Sequence, residues 1–189
     1  VGPTGRVIAA EPIPELVQLF RRSLALNDIE DIVALRQCAV GATASRRRFN
    51  IAPVRGHSSY LALNEVSEQL DVDLQPFDAL VPPGRRVALV KLDVEGYELE
   101  AWRGMSRIIA DNPKLAAIVE FGPSHLARAH TAIEDWVGQL IAPGFTPYEI
   151  DEQTGVCRRL RSDGLDRVYS MNILLLREPP ESYPGLRFT

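Results

Sequence analysis

Cysteine is scarce in this chain: Cys38 and Cys157 are the only two. Two residues that far apart supply neither a disulfide framework nor a zinc-ligand spacing, and they fit a reducing cytoplasm. Histidine is nearly as scarce, at three residues. Long apolar runs are missing, and none approaches the roughly 18 residues that a membrane-spanning helix needs. Charge of one sign never accumulates. Lys and Arg total 21 against 25 Asp and Glu, and the longest block is Arg46-Arg47-Arg48. That triplet reads as a solvated strand or loop edge rather than a nucleic-acid surface, which needs more positive charge on one face. What remains is ordinary globular material. The 189 residues are 46% hydrophobic, enough for one domain over 1–189 with a real core.

Strands and helices alternate along most of the chain. Residues 6–10 read as a short buried strand, followed by a helix over 14–26. Leu16, Leu19, Phe20 and Leu24 share one face of that helix, and Asn27 is placed as its left-handed terminal residue. A strand is expected over 32–40, then a hairpin of strands 46–51 and 59–63, and a connector over 73–80 with strand and helical pieces. An apolar strand at 87–92 leads into a helix over 97–110, with Leu99, Trp102, Ile108 and Ile109 inward. A further strand over 115–121 is followed by a helix over 131–141 that buries Ile133, Trp136, Val137 and Leu140. Three late strands are expected near 145–150, 157–160 and 169–176. This order predicts an α/β fold: a doubly wound, mostly parallel, Rossmann-like sheet with an antiparallel strand near the C-terminus.

The most informative segment ends the 87–92 strand, at Asp93-Val94-Glu95-Gly96. A run such as Val87-Ala88-Leu89-Val90 fits a strand buried on both faces of a parallel sheet. Open α/β sheets bind ligands at the carboxyl ends of their strands, where this pair of carboxylates falls. Carboxylates there are costly unless something uses them. Asp93 or Glu95 could bind a ligand hydroxyl, act as a general base, or hold an oxygen-liganded cation. The same residues also read as an acidic helix start, with Glu98 beside the helix N-terminus.

Glu11 stands at the end of the first strand, where an acidic residue can accept hydrogen bonds from both hydroxyls of a ribose. Cys38, Ala39, Val40 and Gly41 are small enough to border a flat base, and are equally ordinary core residues. His57, Ser58 and Ser59 lie on the expected hairpin, and His125 follows Glu120 in a loop. A hydrolase triad using Ser58 or Ser59 lacks the Gly-x-Ser-x-Gly elbow.

Taken together, these segments resemble the FkbM-type methyltransferases. The match is carried by Lys91-Leu92-Asp93-Val94-Glu95-Gly96-Tyr97-Glu98-Leu99-Glu100 with Gly104. The strand with Glu11-Pro12, the helix ending in Asn27, Cys38-Ala39-Val40-Gly41, His57-Ser58-Ser59, Phe77-Asp78 and Glu120 follow in the family's order. The resemblance covers roughly residues 1–121. It implies a class I methyltransferase fold that uses S-adenosylmethionine to methylate a hydroxyl oxygen of a sugar or natural product. Glu11 and Pro12 would then sit at the cofactor ribose, with Cys38, Ala39 and Val40 beside adenine. Asp93 would sit near the methionine end or the acceptor, and His57, Ser58, Ser59, Glu95, Glu120 and His125 would be candidates for the acceptor pocket. Asp93, Glu95 or a histidine could take the hydroxyl proton as the catalytic base. No metal is assigned.

The family also has a first strand and a glycine-rich loop upstream of the Glu-Pro strand. This chain opens at Val1-Gly2-Pro3-Thr4-Gly5, beyond that point. The expectation is therefore an N-terminally truncated domain, with a gap between the Val7 and Val87 strands. A nicotinamide-dependent Rossmann oxidoreductase and a non-catalytic module with the same fold are the alternatives. The nicotinamide enzyme would use Glu11 equally well but gives Asp93-Val94-Glu95-Gly96 no task.

Overall fold

The computed structural model describes residues 1–2, 4–51 and 68–189. Strand β1 (Val7–Ala10) runs into helix α1 (Pro14–Leu26) and parallel strand β2 (Val33–Arg36). Pro14 supplies the fixed φ that a first helical turn tolerates. Val17 and Leu24 face inward, whereas Leu19 is 46% exposed, so the inward face is rotated from the expected one. The helix does not end on a left-handed Asn27, whose φ is −107°. Asp28 takes the left-handed conformation instead, at φ 53°.

The single strand expected over 32–40 is two strands. β2 pairs with β1, and β3 (Ala39–Val40) pairs in parallel with β5 (Glu68–Gln75). β5 also pairs antiparallel with β4 (Ser45–Ile51), from Ser45↔Leu74 to Ile51↔Glu68. The expected hairpin partner at 59–63 lies outside the described residues. Leu70, Val72 and Leu74 alternate with charged residues along β5, and they build a small core with Ile13, Ala39 and Phe49.

A short helix α2 (Phe77–Leu80) leads to β6 (Leu89–Leu92). The helix expected over 97–110 is broken into α3 (Glu98–Arg103) and α4 (Ser106–Asp111). The break has a steric cause. A Cβ on Gly104 would lie 2.1 Å from the Gly41 carbonyl oxygen, and the Gly104 carbonyl accepts the Asp78 N–H at 3.0 Å. Backbone contact with two other segments bends the chain here, and Met105 beside it is wholly buried.

The remaining elements are β7 (Ala116–Phe121), α5 (Pro123–Arg128), α6 (Ile133–Ile141), β8 (Thr146–Ile150), β9 (Val156–Arg159), β10 (Met171–Leu176) and β11 (Arg187–Phe188). Their sheet has the order β11-β9-β8-β10-β7-β6. β6 and β7 are parallel, while β10 lies antiparallel between β7 and β8. The mixed α/β character and the antiparallel late strand thus agree with expectation. The described strands form three sheets, however, rather than one doubly wound sheet.

Strand alternation sorts the two faces of the large sheet. Ala117, Val119, Phe121, Ile173 and Leu175 join Leu99, Trp102, Ile108, Trp136 and Leu140 in the main core. Ala116, Ile118, Leu174 and Leu176 face Tyr148, Cys157 and Phe188 on the other side. Phe121 meets Trp136 edge to face at 5.3 Å.

β6 is not buried on both faces as its sequence suggested. Leu92 is fully buried, but Leu89 is 55% exposed. β1 is likewise only half-buried, with Val7 36% exposed. The reason is shared: β1 bonds only to β2 and β6 only to β7 among the described residues, so each keeps an open edge. No helix among the described residues is long and apolar enough to cross a membrane.

Candidate active site

The chain turns sharply where β6 ends. Glu95 has φ 54° and Gly96 φ 96°, two successive left-handed residues. That conformation suits glycine, and for Glu95 it costs on the order of 1 kcal/mol that neighbouring contacts must offset. Glu98, at the start of α3, supplies them. Its side chain is 2% exposed, and Oε1 accepts the N–H of Val94 at 3.2 Å and of Gly96 at 3.1 Å. The carboxylate also accepts its own backbone N–H. Burial raises the Glu98 pKa, these N–H donors pull it back down, and the Glu95 charge adds to the rise.

β7 brings a second carboxylate to the same end of the sheet. Glu120 sits one residue before the strand ends and pairs across to Asn172 of β10. Behind it Gly122-Pro123 opens α5, which carries His125 in its first turn, so this histidine is helical rather than in a loop. A Cβ on Gly122 would crowd the His125 ring at 3.2 Å, so glycine lets the imidazole fold back toward the strand end. His125 Nε2 lies 3.3 Å from Glu95 Oε2, with both side chains 13% exposed.

These groups converge. Asp93, Glu95 and Glu120 bring carboxylate oxygens within 4.8 Å of one another, and so do Glu98 and Glu120 with a His125 nitrogen. Asp93 is half-exposed and paired with Lys91. The Glu120 pKa is pushed up to about 7, first by burial, then by the charges of Asp93 and Glu95 and by a hydrogen bond to Asp93 that a protonated Glu120 donates. Glu120 Oε2 is buried and has no partner among the described residues. Carboxylate oxygens with one imidazole are the donor set of a hard divalent cation. Two surface depressions, of about 500 Å³ beside His130–Ala142 and about 590 Å³ between Gly84 and Lys114, contain none of these residues.

The other expected residues lie on separate elements. Glu11 follows β1, donates its N–H to the Arg36 carbonyl at 3.0 Å, and accepts the Ile13 N–H at Oε1, 2.8 Å away. Burial raises its pKa and that N–H partly offsets the rise. Pro12 links Glu11 to α1. Cys38 is a buried free thiol whose pKa burial raises. Ala39 belongs to the small core with Ile13, and Val40 to the main core. His57, Ser58 and Ser59 lie outside the described residues. The sequence reading brought Asp93, Glu95, Glu120 and His125 forward, and these meet. It left Glu98 as a mere helix-start charge. The signal was present, since a glutamate early in a helix can reach back to free N–H groups of the preceding turn.

This is a mixed α/β domain whose acidic groups gather where parallel strands β6 and β7 end, the edge at which open α/β sheets generally bind ligands. The family model of the methyltransferase FkbM domain matches residues 1–145, and this chain belongs to the FkbM methyltransferase family. Methyltransferase 1 of Beauveria bassiana (strain ARSEF 2860) is 26% identical over 125 residues, covering 54% of this chain and 50% of the fungal protein. The crystal structure of methyltransferase FkbM from Methylobacillus flagellatus KT superposes with a TM-score of 0.56 at 18% identity, over 90% of this chain and 36% of that one. The chain therefore spans half the length of the fungal relative and about a third of the solved bacterial chain.

Proposed function

We propose that this protein methylates a hydroxyl oxygen of a small-molecule or glycan acceptor, using S-adenosylmethionine. The observation that carries the reading is the meeting of Asp93, Glu95, Glu120 and His125 at the ends of β6 and β7 in a chain of a methyltransferase family. When bound, S-adenosylmethionine supplies a methyl already activated on a sulfonium sulfur, so the protein's task is alignment and proton removal. Glu11 spends one oxygen lone pair on Ile13 and keeps capacity for both ribose hydroxyls. Pro12 fixes the approach to that carboxylate, and Cys38, Ala39 and Val40 border the base.

Asp93 and Glu95 hold the acceptor hydroxyl. Glu120, whose protonation changes near pH 7, takes the hydroxyl proton as the new carbon–oxygen bond forms. Its buried Oε2, without a partner among the described residues, is suited to accept from a polar hydrogen on the acceptor. His125 holds Glu95, and His57, Ser58 and Ser59, which lie outside the described residues, remain the sequence's candidates for the acceptor side. We place the reaction in a reducing cytoplasm, in keeping with two buried free cysteines, with no nucleic acid as partner.

Calorimetry with S-adenosylmethionine tests this reading. Micromolar-range binding by the intact protein, weakened at least about tenfold by Glu11→Ala, supports it, a tenfold loss corresponding to about 1.4 kcal/mol. Absence of heat from the intact protein at saturating ligand sinks it.

A further inference from the structure

We propose that Glu98 is the positioning residue of this site: its buried carboxylate holds Glu95 in the left-handed conformation that aims the Glu95 side chain at His125. The methyl-transfer use of this corner rests on the function proposed above, whereas the positioning itself does not. Three observations combine. Glu98 is 2% exposed, so its carboxylate stays at the cost of desolvation and must be matched by strong donors. The donors are the N–H groups of Val94 and Gly96, the two residues that flank Glu95. One oxygen atom thus clamps both sides of a single residue and closes the chain around it, with Tyr97 N–H returning to the Val94 carbonyl at 3.3 Å. The residue so clamped has φ 54° and reaches His125 Nε2 at 3.3 Å.

Without an acceptor between the two N–H groups, Glu95 would relax toward the negative φ that its side chain prefers, because a left-handed glutamate is strained. Its Cβ would swing to a new direction and the carboxylate would leave His125. A neutral amide of the same shape keeps an oxygen where both N–H groups need it. Aspartate, one methylene shorter, withdraws it.

The experiment reads the His125 imidazole by nitrogen-detected NMR titration in the intact protein. His125→Asn identifies its signal among those of His57 and His130. Glu95, Glu98 and Glu120 all face this imidazole, Asp93 lies behind Glu120, and Arg128 shares its helix. Removing the Glu98 charge therefore shifts His125 directly, so the comparison is made between Glu98→Gln and Glu98→Ala, which remove the same charge. In each background Glu95→Gln is added. A carboxylate at this distance favours the imidazolium, and Glu95→Gln should lower the His125 midpoint by about 1 pH unit in the Glu98→Gln background. In the Glu98→Ala background it should lower it by no more than about 0.2 units, because Glu95 has already left.

Should Glu98→Ala fail to fold, Glu98→Met, which removes the same charge and offers the N–H groups no oxygen, takes its place with the same expectation. An equal Glu95→Gln shift in both backgrounds overturns the proposal and leaves Glu98 a structural residue. So does the absence of a shift in Glu98→Gln. Failure of S-adenosylmethionine to bind would refute the proposed function and leave this titration result standing.

Discussion

Replacing Glu120 by glutamine should change how stability depends on pH. The folded state lifts the Glu120 pKa from 4.5 to about 7. A raised carboxyl pKa means that the folded protein holds a proton which the unfolded chain has released. The associated stability is complete below about pH 4.5 and is lost as pH rises through about 7. At about 1.36 kcal/mol per pH unit the full displacement is worth at most about 3.4 kcal/mol. Water reaches part of this cluster, where Asp93 is half-exposed, so about 1–2 kcal/mol is expected after solvent screening.

Glutamine carries no titrating proton and can still donate to Asp93. Between pH 5 and pH 8 the wild-type protein should therefore lose about 1–2 kcal/mol more stability than Glu120→Gln. Urea melts at the two pH values, analysed by linear extrapolation, measure the difference. In thermal melts of a domain this size it amounts to about 2–8 °C. Parallel pH dependence in the two proteins, or a steeper fall in the variant, would refute the assignment of the near-neutral proton to Glu120.

Gly104→Ala should destabilise the protein by about 2–3 kcal/mol, because its Cβ would strike the Gly41 carbonyl and neither backbone can move independently. A urea midpoint unchanged from wild type would contradict the close approach. Asp78 Oδ2 accepts the Arg107 N–H at 2.8 Å and Oδ1 accepts the Ile108 N–H at 3.0 Å, capping α4 from a distant segment. Asp78→Ala should cost about 1–2 kcal/mol by the same assay, with Asp78→Asn recovering part of it.

The legible parts of the fold were those written in a clear period. α1 begins at Pro14 and ends at Leu26 as read, and β8, β9 and β10 lie within a few residues of their expected places. Trp136 and Leu140, spaced for one helix face, are buried. Most of β5 went unread although Leu70, Val72 and Leu74 alternate with Asp71 and Asp73, and only its end, from Asp73, fell in the connector where strand pieces were expected. The division of the 97–110 helix turns on what Gly104 touches across the fold, which no local pattern records. At the site the sequence marked the carboxylates by their position after an apolar strand. It did not reveal that Glu98 turns back into the corner, because outward and inward glutamates look alike in a short helix. Nor could it show that β6 has an open edge and leaves Leu89 exposed, since an apolar strand reads the same with one neighbour or two.

The position of β10 bears on how the protein comes to fold. β7 and β8 both precede β10 in the chain, yet they do not pair with one another, because β10 lies between them. Its register joins Glu120 to Asn172, about fifty residues further along the chain. Closing so long a loop precedes any reward from the contacts it makes, which slows strand pairing. Until Met171–Leu176 has arrived, both flanking strands present bare edges, the condition under which chains stick to one another. Glu120 stands on β7, so the acid group lies beside the pairing of longest sequence separation in this sheet.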